Sequence, residues 1–101
     1  MVTIPEIDIK DAKQMLDKGS ATFIDIRDAS SHEEANIEGA KSLSWQNAKD
    51  FIENTNKDET LIVYCYRGNS SKQAVAWFQE QGFDKVFSLR GGFDEWQRTY
   101  P

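Results

Sequence analysis

Cys65 is the single cysteine of this chain, and it stands where an apolar run meets a loop, in TLIVYCYRGNSSKQAVAWF, Thr60 to Phe78. A thiol does nucleophilic chemistry as its thiolate. The residues after Cys65 suit that form. Gly68 lets the chain turn tightly, so that several backbone N–H groups can converge on one anion. Asn69, Ser70 and Ser71 are good turn and helix-starting residues, and a helix opening there aims its positive end at the sulfur. Arg67, two residues from the cysteine, adds a cation suited to an anionic substrate. A free cysteine is also an ordinary small buried hydrophobe. Position at a strand end does not by itself decide between the two.

Other residues with chemical potential carry weaker signals. His32 is the only histidine, and without a placed partner it reads as a packing or surface residue on a short helix. Arg27 follows an apolar strand and is expected in a structural salt bridge. Asp25 beside it is expected to tie loops together by hydrogen bonds. Trp45 reads equally as a pocket rim or as ordinary packing, whereas Trp77 and Trp96 fall at helical core spacing. Asp28, Glu33, Glu34 and Glu38 form a solvated acidic face, with a docking surface as the alternative.

The elements that must position Cys65 alternate between short apolar runs and amphipathic stretches. Ile4–Ile7 is a first strand weakened by Pro5. Asp8 caps a helix carrying Ile9, Ala12, Met15 and Leu16, with Gly19 past its end. Thr22–Ile26 is a buried strand. Ser30 with Glu33, or Ser31 with Glu34, has the spacing of a capping box for a short helix. Lys41–Leu43 is a third strand, and Ser44 is placed to cap a helix through Ala48, Phe51 and Ile52. Thr60–Tyr64 is the strongest strand. Ser70–Gln81 is the strongest helix, with Ala74, Trp77, Phe78 and Gln81 on one face and Gly82 after it. Lys85–Leu89 is a fifth strand, and Gly91-Gly92 turns the chain into a last helix with Phe93 and Trp96. Alternation of this kind implies parallel strands, right-handed crossovers and helices on both faces. In such α/β sheets ligands bind beyond the carboxyl ends of the strands, which is where Cys65 falls.

Composition narrows the function classes. The 101 residues suit one domain, residues 1–101, able to bury a core without staples. The net charge is −5 with basic residues scattered, so no nucleic-acid face is expected. One cysteine allows no internal disulfide, and one cysteine with one histidine makes no typical zinc site. Without a long apolar run or a signal segment, a cytoplasmic protein with no membrane span, metal or cofactor is expected.

Three stretches together resemble the rhodanese family, the thiosulfate sulfurtransferases. CYRGNSS is similar to the family's active-site loop. FIDIRDASSHEEANIEGA is similar to its first signature, a strand ending Asp-x-Arg, an acidic helix, then Gly-Ala. VFSLRGGFDEWQ is similar to its closing signature. The first signature usually carries Gly-His where this chain has Ala35 and Asn36. The resemblance points to small stand-alone bacterial members. It implies an α/β/α sandwich around a five-stranded, mainly parallel sheet in the order 3-2-4-5-1.

The resemblance also implies a ping-pong sulfur transfer. Cys65 takes the outer sulfur of thiosulfate as a persulfide and passes it to cyanide or a thiol, including a thiol-bearing protein. The substrate-binding groups it implies are Tyr66, Arg67, Gly68, Asn69, Ser70 and Ser71. The oligomeric state stays open, a monomer being the simpler expectation. Three competing readings remain. One is a phosphatase or arsenate reductase, although those carry Cys-x5-Arg and the sixth residue after Cys65 is Ser71. Another is a partner-binding module that does no chemistry. The third is a persulfide carrier for which thiosulfate is not the natural donor.

Overall fold

The computed structural model describes residues 4–101. Five strands and five helices alternate along the chain: β1 (Glu6–Ile7), α1 (Ile9–Lys18), β2 (Thr22–Asp25), α2 (Ala29–Glu34), β3 (Lys41–Ser42), α3 (Ala48–Glu53), β4 (Leu61–Tyr64), α4 (Ser70–Glu80), β5 (Val86–Leu89) and α5 (Gly92–Thr99). The strands form one sheet in the order β1-β5-β4-β2-β3. All four pairings are parallel. This is the expected order, with β4, the strand that leads to Cys65, at its centre.

Period-two alternation along β4 divides the interior into two cores. Ile62 and Tyr64 point to one face, where they pack with Phe23, Leu89, Ala12 of α1 and Phe93 and Trp96 of α5. Leu61 and Val63 point to the other, with Ile24, Val86 and Ala74, Val75 and Phe78 of α4. Every residue of β4 is buried, as expected of a strand covered on both faces. Both faces are therefore closed by helices, and the functional surface is left to the strand ends.

The edge strand β1 is only two residues long. Pro5 lacks an N–H, yet its carbonyl still accepts from the Ser88 N–H at 2.9 Å. Asp8 caps α1, accepting the Asp11 N–H at 2.8 Å, and Gly19 closes it in the left-handed conformation, φ 66°. Two other caps differ from expectation. At α2 the cap is Asp28, whose carboxylate accepts the Ser31 N–H and the hydroxyls of both Ser30 and Ser31. An ionised carboxylate is a stronger acceptor than a hydroxyl, so the serines donate where a capping box would have them accept. At α3 the helix begins after Asn47. Ser44 instead opens the preceding turn, its N–H donating to Asn47 Oδ1 at 2.8 Å. Trp96 is buried as expected. Trp77 is only half-buried, because its side of α4 ends in an open groove beside Trp45 rather than in the core.

Candidate active site

The chain leaves β4 at Tyr64 and enters α4 at Ser70. Between them Cys65–Asn69 must curl over the strand end. The first two carbonyls of this loop are held by α5: the N–H of Phe93 donates to Cys65 O at 2.8 Å and that of Asp94 to Tyr66 O at 2.9 Å. A helix N-terminus has N–H groups without intrahelical partners, and α5 uses two of its own here. With these two carbonyls held, the loop N–H groups are free to face inward.

They face the sulfur. Cys65 Sγ lies 3.2 Å from the Gly68 N–H donor and 3.4 Å from the Ser71 N–H donor. The Ser71 hydroxyl is a third neighbour at 3.4 Å. Gly68 has φ 92°, and a Cβ there would stand 3.1 Å from both Gly91 N and Leu89 O. Its identity therefore serves backbone conformation and close approach alike. Burial alone would push the Cys65 thiol up. The Ser71 hydroxyl and the N–H groups of Ser71, Gly68 and Arg67 outweigh burial and hold it below the ordinary thiol value. This arrangement can stabilise a thiolate, or an anion brought to it.

The remaining loop residues have divided tasks. Cys65, Tyr66, Arg67, Asn69 and Ser70 line a shallow mouth of about 190 Å³. The Tyr66 hydroxyl turns away to donate to Asp28 Oδ1 at 2.6 Å, also meeting Ser31 Oγ, and so ties the loop to the start of α2. The carboxyl of Asp28 is held well below its usual range, first by the Ser30 hydroxyl and then by Tyr66 and Ser31. Arg67 is 82% exposed, and its Nε pairs with Asp94 Oδ2 at 3.3 Å. Its guanidinium is thus engaged with a carboxylate of α5. Asn69 and Ser70 are exposed at the mouth.

Trp45 is not at this mouth. It is 72% exposed and packs edge-on against Trp77 with ring centroids 5.2 Å apart. The two line a larger groove of about 510 Å³ with Ile26, Leu43 and Phe78, which meets the mouth at Ser70. Behind the site, Arg27 makes the expected salt bridge, a two-pronged one with buried Asp25. His32 is more than a surface residue. Its Nδ1 lies 2.8 Å from Asp25 Oδ2, and an ionised Asp25 makes that nitrogen the donor.

The sequence reading did not single out Ser88, whose hydroxyl is 2.7 Å from that of Ser71, and it placed Asp28 and the Gly91-Gly92 turn without their roles here: Asp28 anchors Tyr66, and the turn lies beneath the loop. A Cβ on Gly92 would lie 2.6 Å from the carbonyl carbon and oxygen of Tyr66. A usable signal existed for Ser88, a serine among the apolar residues of a buried strand.

Comparison with known proteins bears on the family and the fold. The Rhodanese-like domain family matches residues 8–99. Thiosulfate sulfurtransferase GlpE of Pseudomonas paraeruginosa is 40% identical over 99 residues, covering 98% of this chain and 89% of that protein. The protein of the same name in Pseudomonas aeruginosa gives the same figures. Among solved structures, the human single-domain sulfurtransferase TSTD1 superposes with a TM-score of 0.87 at 16% identity, over 98% of this chain and 100% of that one. The BH2092 protein of Bacillus halodurans superposes with a TM-score of 0.84 at 30% identity, over 94% of this chain and 72% of that one.

Proposed function

The chain belongs to the rhodanese-like domain family, and from that premise we propose that it is a thiosulfate sulfurtransferase working through a persulfide on Cys65. In the first half-reaction the Cys65 thiolate attacks the outer sulfur of thiosulfate. The new S–S bond forms as the old one breaks, and its electron pair leaves with sulfite. The persulfide anion keeps the single negative charge. In the second half-reaction cyanide or a thiolate attacks the outer sulfur, taking it as thiocyanate or a new persulfide, and the electron pair returns to Cys65. No redox partner, metal or cofactor is needed for the balance.

The observation that carries this reading is the set of groups on Cys65 Sγ: two N–H donors at 3.2 and 3.4 Å, and the Ser71 hydroxyl at 3.4 Å, which accepts from the thiol and can donate to a thiolate. Donors fixed in a water-poor pocket stabilise an anion without reorganising. The same loop suits a thiolate and then the outer sulfur of a persulfide. A shallow mouth admits a small anion and leaves the sulfur reachable by a second nucleophile. A lone thiolate nucleophile also fits reducing surroundings, hence the cytoplasm.

Phosphoryl transfer is disfavoured. Its arginine clamp would stand at position 71, where the serine hydroxyl already meets the sulfur. One observation favours the carrier reading, in which sulfur passes between thiol-bearing proteins. Arg67 lines the mouth, but its guanidinium Nε is paired with Asp94, so a sulfonate would have to compete with a carboxylate for it.

The test is intact mass after thiosulfate treatment. A gain of one sulfur atom on Cys65, removed by cyanide, is expected. A protein whose mass stays unchanged with thiosulfate, but which gains sulfur from an organic persulfide, belongs to the carrier reading.

A further inference from the structure

Ser88 lies on β5 among residues that are otherwise apolar on that face of the sheet. Val86, two residues earlier, and Val63 and Leu61 of the neighbouring strand all belong to the α4-side core. A valine would satisfy the pattern at position 88. A hydroxyl there is shielded from water, with Ser88 0% exposed, and a buried hydroxyl costs free energy unless it is bonded. Its partner is the hydroxyl of Ser71, also 0% exposed, at 2.7 Å. Ser71 in turn meets Cys65 Sγ. Three side chains from β5, α4 and the strand-end loop thus form a closed line: Ser88 Oγ, Ser71 Oγ, Cys65 Sγ.

We propose that Ser88 is a positioning residue for sulfur transfer, its hydroxyl aiming the Ser71 hydroxyl at Cys65 Sγ whenever that sulfur carries negative charge. The line has two proton arrangements. With Cys65 as the thiol, S–H donates to Ser71 Oγ, and Ser71 donates to Ser88 Oγ. With Cys65 as the thiolate, both hydroxyls reverse: Ser88 donates to Ser71, and Ser71 donates to the sulfur. In that second arrangement both O–H dipoles point at the anion, and each polarises the next. The thiol proton leaves to solvent through the mouth that Cys65 lines; at Ser71 and Ser88 only the hydroxyl rotors turn. Once sulfur is loaded, Sγ has no hydrogen and acts solely as an acceptor, so the reversed arrangement persists through the persulfide.

Without Ser88, Ser71 keeps its hydroxyl but loses the dipole behind it and the contact that fixes its rotamer. The charged sulfur loses more than the neutral one, because hydrogen bonds to ions are the stronger class. The effect therefore has a sign: the thiolate becomes harder to form.

The proposal deepens the sulfurtransferase reading, yet its test is independent of the sulfur donor. The rate of Cys65 alkylation by iodoacetamide is measured against pH in wild type, Ser88→Ala and Ser88→Thr, with urea unfolding of each. For Ser88→Ala the midpoint is expected to rise, with an alkylation rate below it lower by about three- to tenfold. Ser88→Thr, which keeps the hydroxyl, restores the wild-type profile. The stability of Ser88→Ala is expected to stay level or increase, so a fall in reactivity is not a folding defect. An unmoved or lowered midpoint in Ser88→Ala overturns the proposal, as does a Ser88→Thr protein that folds but behaves like alanine. Failure of thiosulfate to load Cys65 while the midpoint moves as expected would count against the donor and leave the role of Ser88 standing.

Discussion

At the residue scale, what separates Cys65 from an inert buried thiol is the direction of the dipoles around it. Gly68 and Ser71 point N–H groups at Sγ, and the thiol is held low against the opposing effect of burial. Cys65→Ser keeps nearly the same shape, but no arrangement of this size can ionise an alcohol near neutrality. Circular dichroism is expected to match wild type, and thiocyanate formation to vanish; measurable turnover in a pure sample would remove Cys65 as the nucleophile. Arg67 is a subtler case. Its guanidinium is exposed and already paired with Asp94, so a thiosulfate sulfonate must compete with a carboxylate for it. An exposed pair of this kind is worth about 0.2–1 kcal/mol. Arg67→Ala is therefore expected to raise KM for thiosulfate only a few-fold with kcat unchanged. Asp94→Asn, which frees the cation, is expected to lower KM by a similar factor. Steady-state kinetics on both variants checks the pair of signs, and a KM that rises in both would mean that Asp94 holds the loop and does not compete for Arg67.

At the scale of elements, α5 shapes the site from beneath. It binds the loop carbonyls through Phe93 and Asp94 N–H, and Gly92 lets the two backbones touch. Gly92→Ala would place a Cβ 2.6 Å from Tyr66 C and O and 2.7 Å from Arg67 N. Those are backbone atoms, which cannot swing aside as a flexible side chain does. Overpacking of this kind costs about 1–3 kcal/mol, added to the strain of φ 62°. Gly39 has φ 80° with nothing within 4 Å of its would-be Cβ, so Gly39→Ala carries backbone strain alone, about 1–2 kcal/mol. Turnover is expected to collapse in Gly92→Ala and survive in Gly39→Ala, with urea unfolding showing both destabilised. Equal turnover in the two would mean that the loop is not seated on this turn. The same contrast explains what was legible in the sequence. The order of all ten elements and the loop around Cys65 are local patterns, periodicity and turn chemistry, and these were readable. The caps of α2 and α3 were misassigned because several polar residues within one turn compete, and the winner is set by charge and geometry. Ser88, Asp94 and Asp28 reach the loop from other elements, through the adjacency of β5 and β4 and the packing of α2 and α5. No local window contains that information.

For the whole molecule, the critical joint is the buried pair behind the site. Asp25, 0% exposed at the end of β2, accepts Arg27 Nε at 3.0 Å and Nη2 at 2.7 Å, with His32 Nδ1 at 2.8 Å. Arg27 also donates to Ala35 O at 2.6 Å and stacks 4.2 Å from the Phe93 ring. One guanidinium thus joins the sheet, the segment after α2 and the helix that carries the cysteine loop. Burial works to raise the Asp25 carboxyl, but the Arg27 and His32 hydrogen bonds prevail and lower it. The linkage follows. With its folded value below the unfolded one of about 3.9, Asp25 contributes stability that is present above that value and lost as pH falls through the folded one. Wild type is therefore expected to hold its stability from neutrality down to about pH 4 as far as this group is concerned. Arg27→Met keeps an apolar stem and removes the charge. Breaking a buried pair from one side costs about 3–5 kcal/mol, and it also reverses the slope. The stranded carboxylate is now raised by burial. The folded state then binds more protons than the unfolded one, so stability rises as pH falls from 7 toward 5. Asp25→Asn in the Arg27→Met background removes the stranded charge, and is expected to recover much of the loss and flatten the slope. Urea unfolding of wild type, single and double variants at pH 7, 6 and 5 reads both quantities. A single variant with the same pH dependence as wild type between pH 7 and 5 would show that Asp25 is not held as an anion by Arg27, and the joint would have to be sought in the packing of Arg27 on Phe93.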